Sequence, residues 1–545
     1  MGDASSPAMA TSQDGSTTAT PTPTLTATPT FLPNQISRVA IVGAGPVGLA
    51  FAKYLLAERH FSEIVIYEQR DTVGGIWNLS GNAVSKRIPV PQLDPWYGTE
   101  NRDQGSAKGE ARGDALEFES PLYDYLETNI PKQLMAYCDA PFPESDPLFP
   151  RHEDVLGYLE RYANPIKRFI RLSTKVTNVE LRVENWEGRK KDVWSVSSTY
   201  LETRSTATEK YDALVVANGH YTVPYVPSIP GLQEFNGFYP GVVLHSKAYR
   251  RPEEFAGRKV LVIGNSASGL DIAAQIGKFA RTPVYLSARS VSAFGTFPPA
   301  DWREDVDEVV EFLSYEQGSR AVKFRSGRIE EGFDSVVFAT GYFYNFPFLR
   351  AVDAELGEPL ITDGSRTRGL YQHLFHIEHP SLVFPVINLK VIPFPLGQNQ
   401  AAVTSRVWSG RLDLPPADEM RKWEKEVVQE KGEGKYFHLK KFPEDAAQIN
   451  ELYLWANEAR RRDGLEDDGM GKPGTRWDES LTWMRSRFPT IRAAFTKRGQ
   501  DRVHVTTMEE LGFDFDEWRK EVDKGDKKEE LGMFEAAKCP ALNEE

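Results

Sequence analysis

The chain has 545 residues, 40% of them hydrophobic and 26% charged, an ordinary balance for a globular protein with room for about two to four domains. A formal net charge of −13 with no basic stripe sets nucleic acid aside as a partner. The two cysteines, Cys138 and Cys539, stand far apart and outside any CxxC pair. No redox disulfide, thiolate zinc centre or other metal site is therefore expected, and a cytoplasmic location is.

Residues 1–34 are rich in Thr, Ser, Pro and Ala, and lack both arginine and an apolar run. They read as a disordered tail, neither a secretory signal nor a mitochondrial presequence. No stretch of the chain approaches the ~20 apolar residues of a membrane span, and Leu542-Asn543-Glu544-Glu545 is no peroxisomal address or lipid anchor. Order begins near Gln35 with the apolar Arg38-Val39-Ala40-Ile41-Val42. A turn, Gly43-Ala44-Gly45-Pro46-Val47-Gly48, and a helical stretch from Leu49 follow. The next strand, Ile64-Val65-Ile66-Tyr67, ends at Glu68, and Val73-Gly74-Gly75-Ile76-Trp77 is a turn with two glycines and a large aromatic. Residues 98–117 read as an exposed polar insertion, and a helix is expected from about Glu153. Val176-Thr177-Asn178-Val179 and Val193-Trp194-Ser195-Val196 alternate like antiparallel strands.

The strand Ala213-Leu214-Val215-Val216-Ala217 ends in Asn218-Gly219, and Pro224, Pro227 and Pro230 make a stiff link. A second strand-turn-helix follows: Lys259-Val260-Leu261-Val262-Ile263, Gly264-Asn265-Ser266-Ala267-Ser268-Gly269, then Leu270 onward, with Arg289 after Val284-Tyr285-Leu286. Ser335 to Tyr342 is another strand ending in a glycine turn. From there the chain returns towards the first unit, with Val383-Phe384-Pro385-Val386 and Pro393-Phe394-Pro395-Leu396 expected near its ligand. The remainder is charged and helical in pattern, with loops at 432–434 and 469–474. The fold class is α/β. Two Rossmann-like dinucleotide-binding domains are expected, the first discontinuous (35–222 and 335–415), the second inserted (223–334), with a mostly helical C-terminal extension (416–545).

The two glycine turns carry opposite charges at one offset. Turn glycines let a backbone approach a pyrophosphate, and the helix N-terminus receives its charge. About twenty residues past Gly48 stands Glu68, suited to ribose hydroxyls; about twenty past Gly269 stands Arg289, suited to a 2′-phosphate. The cofactors expected are FAD at the first turn and NADPH at the second, with Ser287 and Ser290 able to add hydroxyls to the same phosphate.

With these residues in place, the chain resembles the flavin-containing monooxygenases, and most closely their soluble fungal branch, over roughly residues 36–410. Tyr239-Pro240-Gly241 through His245 to Tyr249 is similar to the family fingerprint FxGxxxHxxxY/F, with Tyr239 where Phe is usual. The related Baeyer–Villiger enzymes carry Trp-Pro where this chain has Tyr249-Arg250. Pro121-Leu122-Tyr123 through Thr128-Asn129-Ile130-Pro131, then Phe149-Pro150-Arg151-His152, resemble the segment that runs under the flavin. Phe338-Ala339-Thr340-Gly341-Tyr342 resembles the second domain crossing.

The resemblance implies an NADPH- and O2-dependent monooxygenase, akin to N,N-dimethylaniline monooxygenase. Through a C4a-hydroperoxyflavin it inserts one oxygen into a soft nucleophile, an amine nitrogen or a sulfur, of a small molecule. Baeyer–Villiger or N-hydroxylating chemistry on the same scaffold, or a non-catalytic NADP-binding flavoprotein, stay open as alternatives, and the substrate and oligomeric state are not legible. Gly43, Gly45, Pro46, Val47 and Gly48 are implied at the FAD pyrophosphate, Glu68 at the ribose, and Gly75, Ile76 and Trp77 beside the flavin, with a core tryptophan as the other reading of Trp77. Thr128 and Asn129 match the pair between flavin and NADP, with Asn129 the catalytic candidate as a hydrogen-bond donor. Gly264, Ser266, Ser268, Gly269 and Asp271 match the start of the NADP-binding helix, Asp271 reading equally as a helix-dipole carboxylate. Arg289 reads as the 2′-phosphate ligand or as an exposed arginine. His245 reads as an organiser of the domain junction, Gln398 or Gln400 as flavin-facing, and His152, His220 and Cys138 as structural.

Overall fold

The computed structural model describes residues 35–80, 88–98, 118–186, 189–290, 300–314, 319–356 and 358–524. The expectations for the N-terminal tail, for 99–117 and for Cys539 lie outside these residues.

Two sheets organise the chain, one mixed with a parallel centre and one wholly parallel. In the seven-stranded sheet, Arg38–Val42 lies between Glu63–Tyr67 and Ala213–Val216; Ile170–Arg171 edges one side, and Leu382–Val383, Phe375–His376 and Leu370–Tyr371 continue the other. The last three strands come from after the second glycine turn, so the chain leaves this sheet and returns to it. The five-stranded sheet between runs Arg303–Val306, Val284–Ser287, Val260–Ile263, Ser335–Phe338, Val243–His245, all parallel.

Both sheets are covered on both faces at their centres, which is why their central strands are runs of apolar residues rather than alternations. In the first, Val39, Ile41, Ile64, Ile66 and Val215 face one core and Ala40, Val42, Val65, Tyr67 and Leu214 the other. In the second, Leu261, Val336 and Phe338 face one core and Val260, Val262 and Val337 the other. Where one face of a sheet is polar, alternation returns: Thr174–Trp186 and Arg189–Tyr200 pair antiparallel, as their pattern predicts. A third strand, Ser205–Tyr211, joins them; it is mostly exposed, so it carries no apolar period to read in advance.

The two crossings between the sheets are bound to one another. Val223–Pro224 pairs antiparallel with Tyr342–Phe343. Beside them the His245 ring accepts the Lys247 N–H at Nδ1 (3.1 Å), so its Nε2–H donates to the Gly341 carbonyl (3.1 Å). Burial pushes this histidine down to about 3, so it is neutral and both its nitrogens are committed to backbone.

Pro393-Phe394-Pro395, legible only as a proline-rich stretch, is the first turn of a helix, Pro393–Trp408. Proline is tolerated there because first-turn N–H groups have no helical partner anyway. That helix packs on Pro46–Ala57, and its core is shared with Trp477, Trp483, Phe488 and Phe495 of the C-terminal region. A buried histidine pair ties the same region down elsewhere. His438 Nε2 accepts the Thr367 N–H (3.0 Å), so its Nδ1–H donates to His373 Nδ1 (3.0 Å).

Each glycine turn is locked by one contact. Gly43 has φ +105°, and its carbonyl lies so close to Gly48 that a Cβ there would sit 1.9 Å from it. Gly264 has φ +116°, and a Cβ on Gly269 would be 1.9 Å from the Gly264 carbonyl. Gly45 differs: its φ is −76°, and a Cβ would meet only Gly75 Cα at 3.7 Å. Gly48→Ala is thus expected to destabilise the fold by roughly 1–3 kcal/mol or more, because helix and strand must part, whereas Gly45→Ala keeps the wild-type melting temperature. Equal melting temperatures for the two variants contradict this packing.

Burial also pushes His220 down to about 4 and His376 down to about 3, with His245 as above. Their folded pKa values lie below the unfolded value of ~6.5, so the unfolded chain binds protons that the native state does not. Stability is therefore full above pH ~6.5 and falls as pH drops from there towards 4, by up to ~1.4 kcal/mol per pH unit for each histidine. Urea midpoints measured between about pH 7 and 5 should decline; a flat profile contradicts neutral burial.

Candidate functional site

Both glycine turns open into one cleft of about 3180 Å³. Gly43, Gly45, Pro46, Val47, Glu68, Gly75, Ile76, Trp77, Thr128 and Asn129 line it from the first sheet's side, and Gly264, Ser266, Ser268, Asp271 and Arg289 from the second's. Gly48 and Gly269 do not line it. The expectation that they touch a cofactor is corrected: each is buried beneath the first glycine of its own turn, and its role is to let the helix start approach the strand.

The first turn fits a dinucleotide pyrophosphate. Gly45 is the N-cap of Pro46–Ala57 with no side-chain cap, and it lines the cleft, so the helix N-terminus presents its N–H groups to that space. Glu68 is 5% exposed, and its carboxylate accepts the Ala44 N–H (2.8 Å) and the Arg70 N–H (2.9 Å). Burial raises its pKa while those donors oppose the shift. The carboxylate is thus fixed at the strand end with lone pairs left for hydroxyl donors. Trp77 is half-buried, edge-on to Phe394 at 6.4 Å, and lines the cleft, so its two readings coexist.

The second turn is similar in backbone but more polar. Ser266, exposed, is the N-cap of Ala267–Ile276 with no side-chain cap of its own. Arg289, 68% exposed, pairs through Nε with Glu308 (2.7 Å), which also pairs with Arg325. Ser287 departs from expectation: it is 1% exposed, and its hydroxyl donates to the Asp307 carbonyl (2.8 Å) rather than standing ready for a phosphate.

Asp271 is more than a dipole partner. Its carboxylate accepts the Tyr123 hydroxyl (2.5 Å) and the Gln275 amide (3.0 Å), linking the helix Ala267–Ile276 to the segment before Thr128. Burial raises its pKa, opposed by Arg492 and the Tyr123 hydroxyl. Arg250, in the position that separates this fingerprint from the Trp-Pro ending, is 8% exposed. It donates to the carbonyls of Ser120 (3.0 Å) and Leu122 and so pins the same segment.

The Thr128 hydroxyl donates to the Ile130 carbonyl (2.9 Å). Asn129 is half-buried at the cleft wall, and its side-chain amide has no hydrogen-bond partner among the described residues. Gln398 and Gln400 are corrected: both are fully buried and do not line the cleft. Gln398 binds the Cys138 N–H, Thr475 and Asp139, and Gln400 accepts the Val386 N–H. Unforeseen from the sequence, the C-terminal region supplies part of the wall: Phe488, Pro489, Arg492, Thr496 and Arg502 on one side, Lys435 and Tyr436 on another.

Among the described residues no helix is long and apolar enough to cross a membrane. Residues 111–294 and 309–452 match the flavin-binding monooxygenase-like family, and 41–87 an NAD(P)-binding Rossmann-like domain. The chain is 30% identical to flavin-containing monooxygenase iboF of Amanita muscaria over 79% of its own length and 90% of that protein. It is 31% identical to the thiol-specific monooxygenase of Saccharomyces cerevisiae, covering 70% and 79% respectively. The structure of S-allyl-L-cysteine S-oxygenase from Allium sativum aligns with a TM-score of 0.61 at 28% identity, over 87% of this chain and 96% of that one. Two glycine turns on one cleft and these matches agree: the chain belongs to the flavin-containing monooxygenase family, oxidoreductases that work with FAD and NADPH.

Proposed function

We propose that this protein oxygenates the sulfur or amine nitrogen of a small molecule, with FAD at the Gly43 turn and NADPH at the Gly264 turn. The domain assignment follows: the seven-stranded sheet and its covering helices hold FAD, and the inserted five-stranded sheet holds NADPH. The observation that carries this reading is the shared cleft. Two anion-receptive helix N-termini open into one space, with a carboxylate fixed beyond the first and a guanidinium beyond the second. Similarity to an S-oxygenase and to a thiol-specific monooxygenase supports the sulfur arm.

When bound, FAD and NADPH supply hydride transfer and oxygen activation; the chain's residues supply position and enclosure. The balance is one NADPH, one proton, one O2 and one substrate to NADP⁺, water and the oxygenated substrate. Leakage gives NADP⁺ and hydrogen peroxide from the same reactants without substrate. The Gly43 and Gly264 turns receive the two pyrophosphates, Glu68 accepts from ribose hydroxyls and Arg289 receives the 2′-phosphate. The Asn129 amide donates a hydrogen bond inside the cleft, in competition with leakage. Its lack of a protein partner is what such a role needs.

Two outcomes follow. Asn129→Ala should still consume NADPH but release hydrogen peroxide in place of product. One lost hydrogen bond of about 1–3 kcal/mol shifts that partition roughly ten- to a hundredfold, and unchanged coupling counts against the role. Arg289→Ala should raise the Michaelis constant for NADPH by about one to two orders of magnitude and leave NADH kinetics unchanged. The Glu308 pair sets the lower end of that range, since the phosphate must share the guanidinium with a carboxylate. Equal losses with both coenzymes would make Arg289 structural.

A further inference from the structure

The Thr128–Asn129 segment is held from a part of the chain that the family match does not cover. That match ends at residue 452; the helix Glu479–Lys497 and the turn Gly499–His504 lie beyond it. Glu127, whose side chain is 8% exposed, receives two guanidiniums from there: Arg492 at 3.0 Å and Arg502 at 2.9 Å. Arg492 also lies over the Phe149 ring at 5.0 Å, and Phe149 packs on Phe495 with ring centres 4.8 Å apart. The backbone adds a direct tie, since the Leu148 N–H donates to the Val505 carbonyl (2.8 Å).

These contacts converge on one ribbon. The backbone at Glu127 pairs antiparallel with that at Arg151, the Thr128 N–H donates to the Pro150 carbonyl (2.8 Å), and the Lys132 N–H donates to the Leu148 carbonyl (2.9 Å). Asn129 thus sits on a strip whose outer edge is fastened to the C-terminal region and whose carboxylate two residues earlier is clamped by it. A buried carboxylate between two guanidiniums has a narrow range of positions, and burial makes loss of either partner costly. Arg492 further faces Asp271 of the second domain, where it opposes the effect of burial. The clamp therefore stands where the two halves of the cleft meet.

We infer that the segment 479–505 is a working part of the catalytic enclosure, and that Arg492 and Arg502 are positioning residues that set the Asn129 amide through Glu127. This rests on the role proposed for Asn129. Removing the clamp should leave FAD bound and NADPH consumed but divert oxygen to peroxide, because a displacement of about 1 Å at a reacting centre is enough to cost up to a hundredfold.

The test measures peroxide released per NADPH oxidised by the full-length holoenzyme, with a thioether as the oxygen acceptor. The variants are Asn129→Ala, Glu127→Gln, Arg492→Met, Arg492→Lys, Arg502→Met and the double variant Asn129→Ala/Arg492→Met, with FAD content measured alongside. The expected result is at least about a threefold rise in the peroxide share for Glu127→Gln and Arg492→Met at full FAD content, and partial rescue by Arg492→Lys. The double variant should be no worse than Asn129→Ala alone, since both changes remove one unit. If Arg492→Met does not fold, Glu127→Gln and Arg502→Met give the same reading. A coupled Asn129→Ala overturns the role proposed for that residue. An uncoupled Asn129→Ala beside coupled Glu127→Gln and Arg492→Met, or additive effects in the double variant, overturns the inference about the clamp alone.

Discussion

The architecture depends on two backbone contacts of the same kind. The Gly43 carbonyl lies over Gly48, and the Gly264 carbonyl over Gly269, at a distance only a missing Cβ allows. Each contact presses the first turn of a helix against the end of its strand. Because the crossings Val223–Pro224 and Tyr342–Phe343 are paired with each other, both turns open towards the same space. The cleft is a consequence of that arrangement: two helix ends with uncapped N–H groups aimed into one volume.

Around this frame, several polar side chains are committed to holding the structure together. His245 spends both nitrogens on the crossing, Arg250 spends its guanidinium on the carbonyls of 120–122, and Asp271 binds Tyr123. Asn129, at the cleft wall, keeps a side-chain amide without a hydrogen-bond partner among the described residues. That division suits a reaction in which cofactors carry the chemistry and the protein supplies place and dryness.

The sequence makes the strands, turns and charge offset legible because each is local. Glycine spacing, apolar runs and a residue at a strand end are read within a few dozen positions, as at Gly43 to Glu68. What was not legible is set by distance or by side-chain direction. Gln398 faces Cys138, 260 positions away, and nothing near it in sequence says that it points inward from the cleft. Ser287 stands beside the arginine as expected, yet its hydroxyl is taken by the Asp307 carbonyl, 20 positions away. Gly48 and Gly269 belong to the motif, but their place is under the turn and not at its lip. The clamp on Glu127 joins residues 365 and 375 positions apart, and ion pairs of that span leave no periodic signature.

The central claim is that the two turns hold FAD and NADPH close enough in one cleft to react. The direct measurement is anaerobic mixing of the purified holoenzyme with one equivalent of NADPH, followed by oxygen and a thioether. The account predicts stoichiometric bound FAD, bleaching of the flavin absorbance by NADPH much faster than by NADH, and one sulfoxide formed per flavin on adding oxygen. A protein that binds no FAD, or whose flavin stays oxidised in the presence of NADPH, would contradict it.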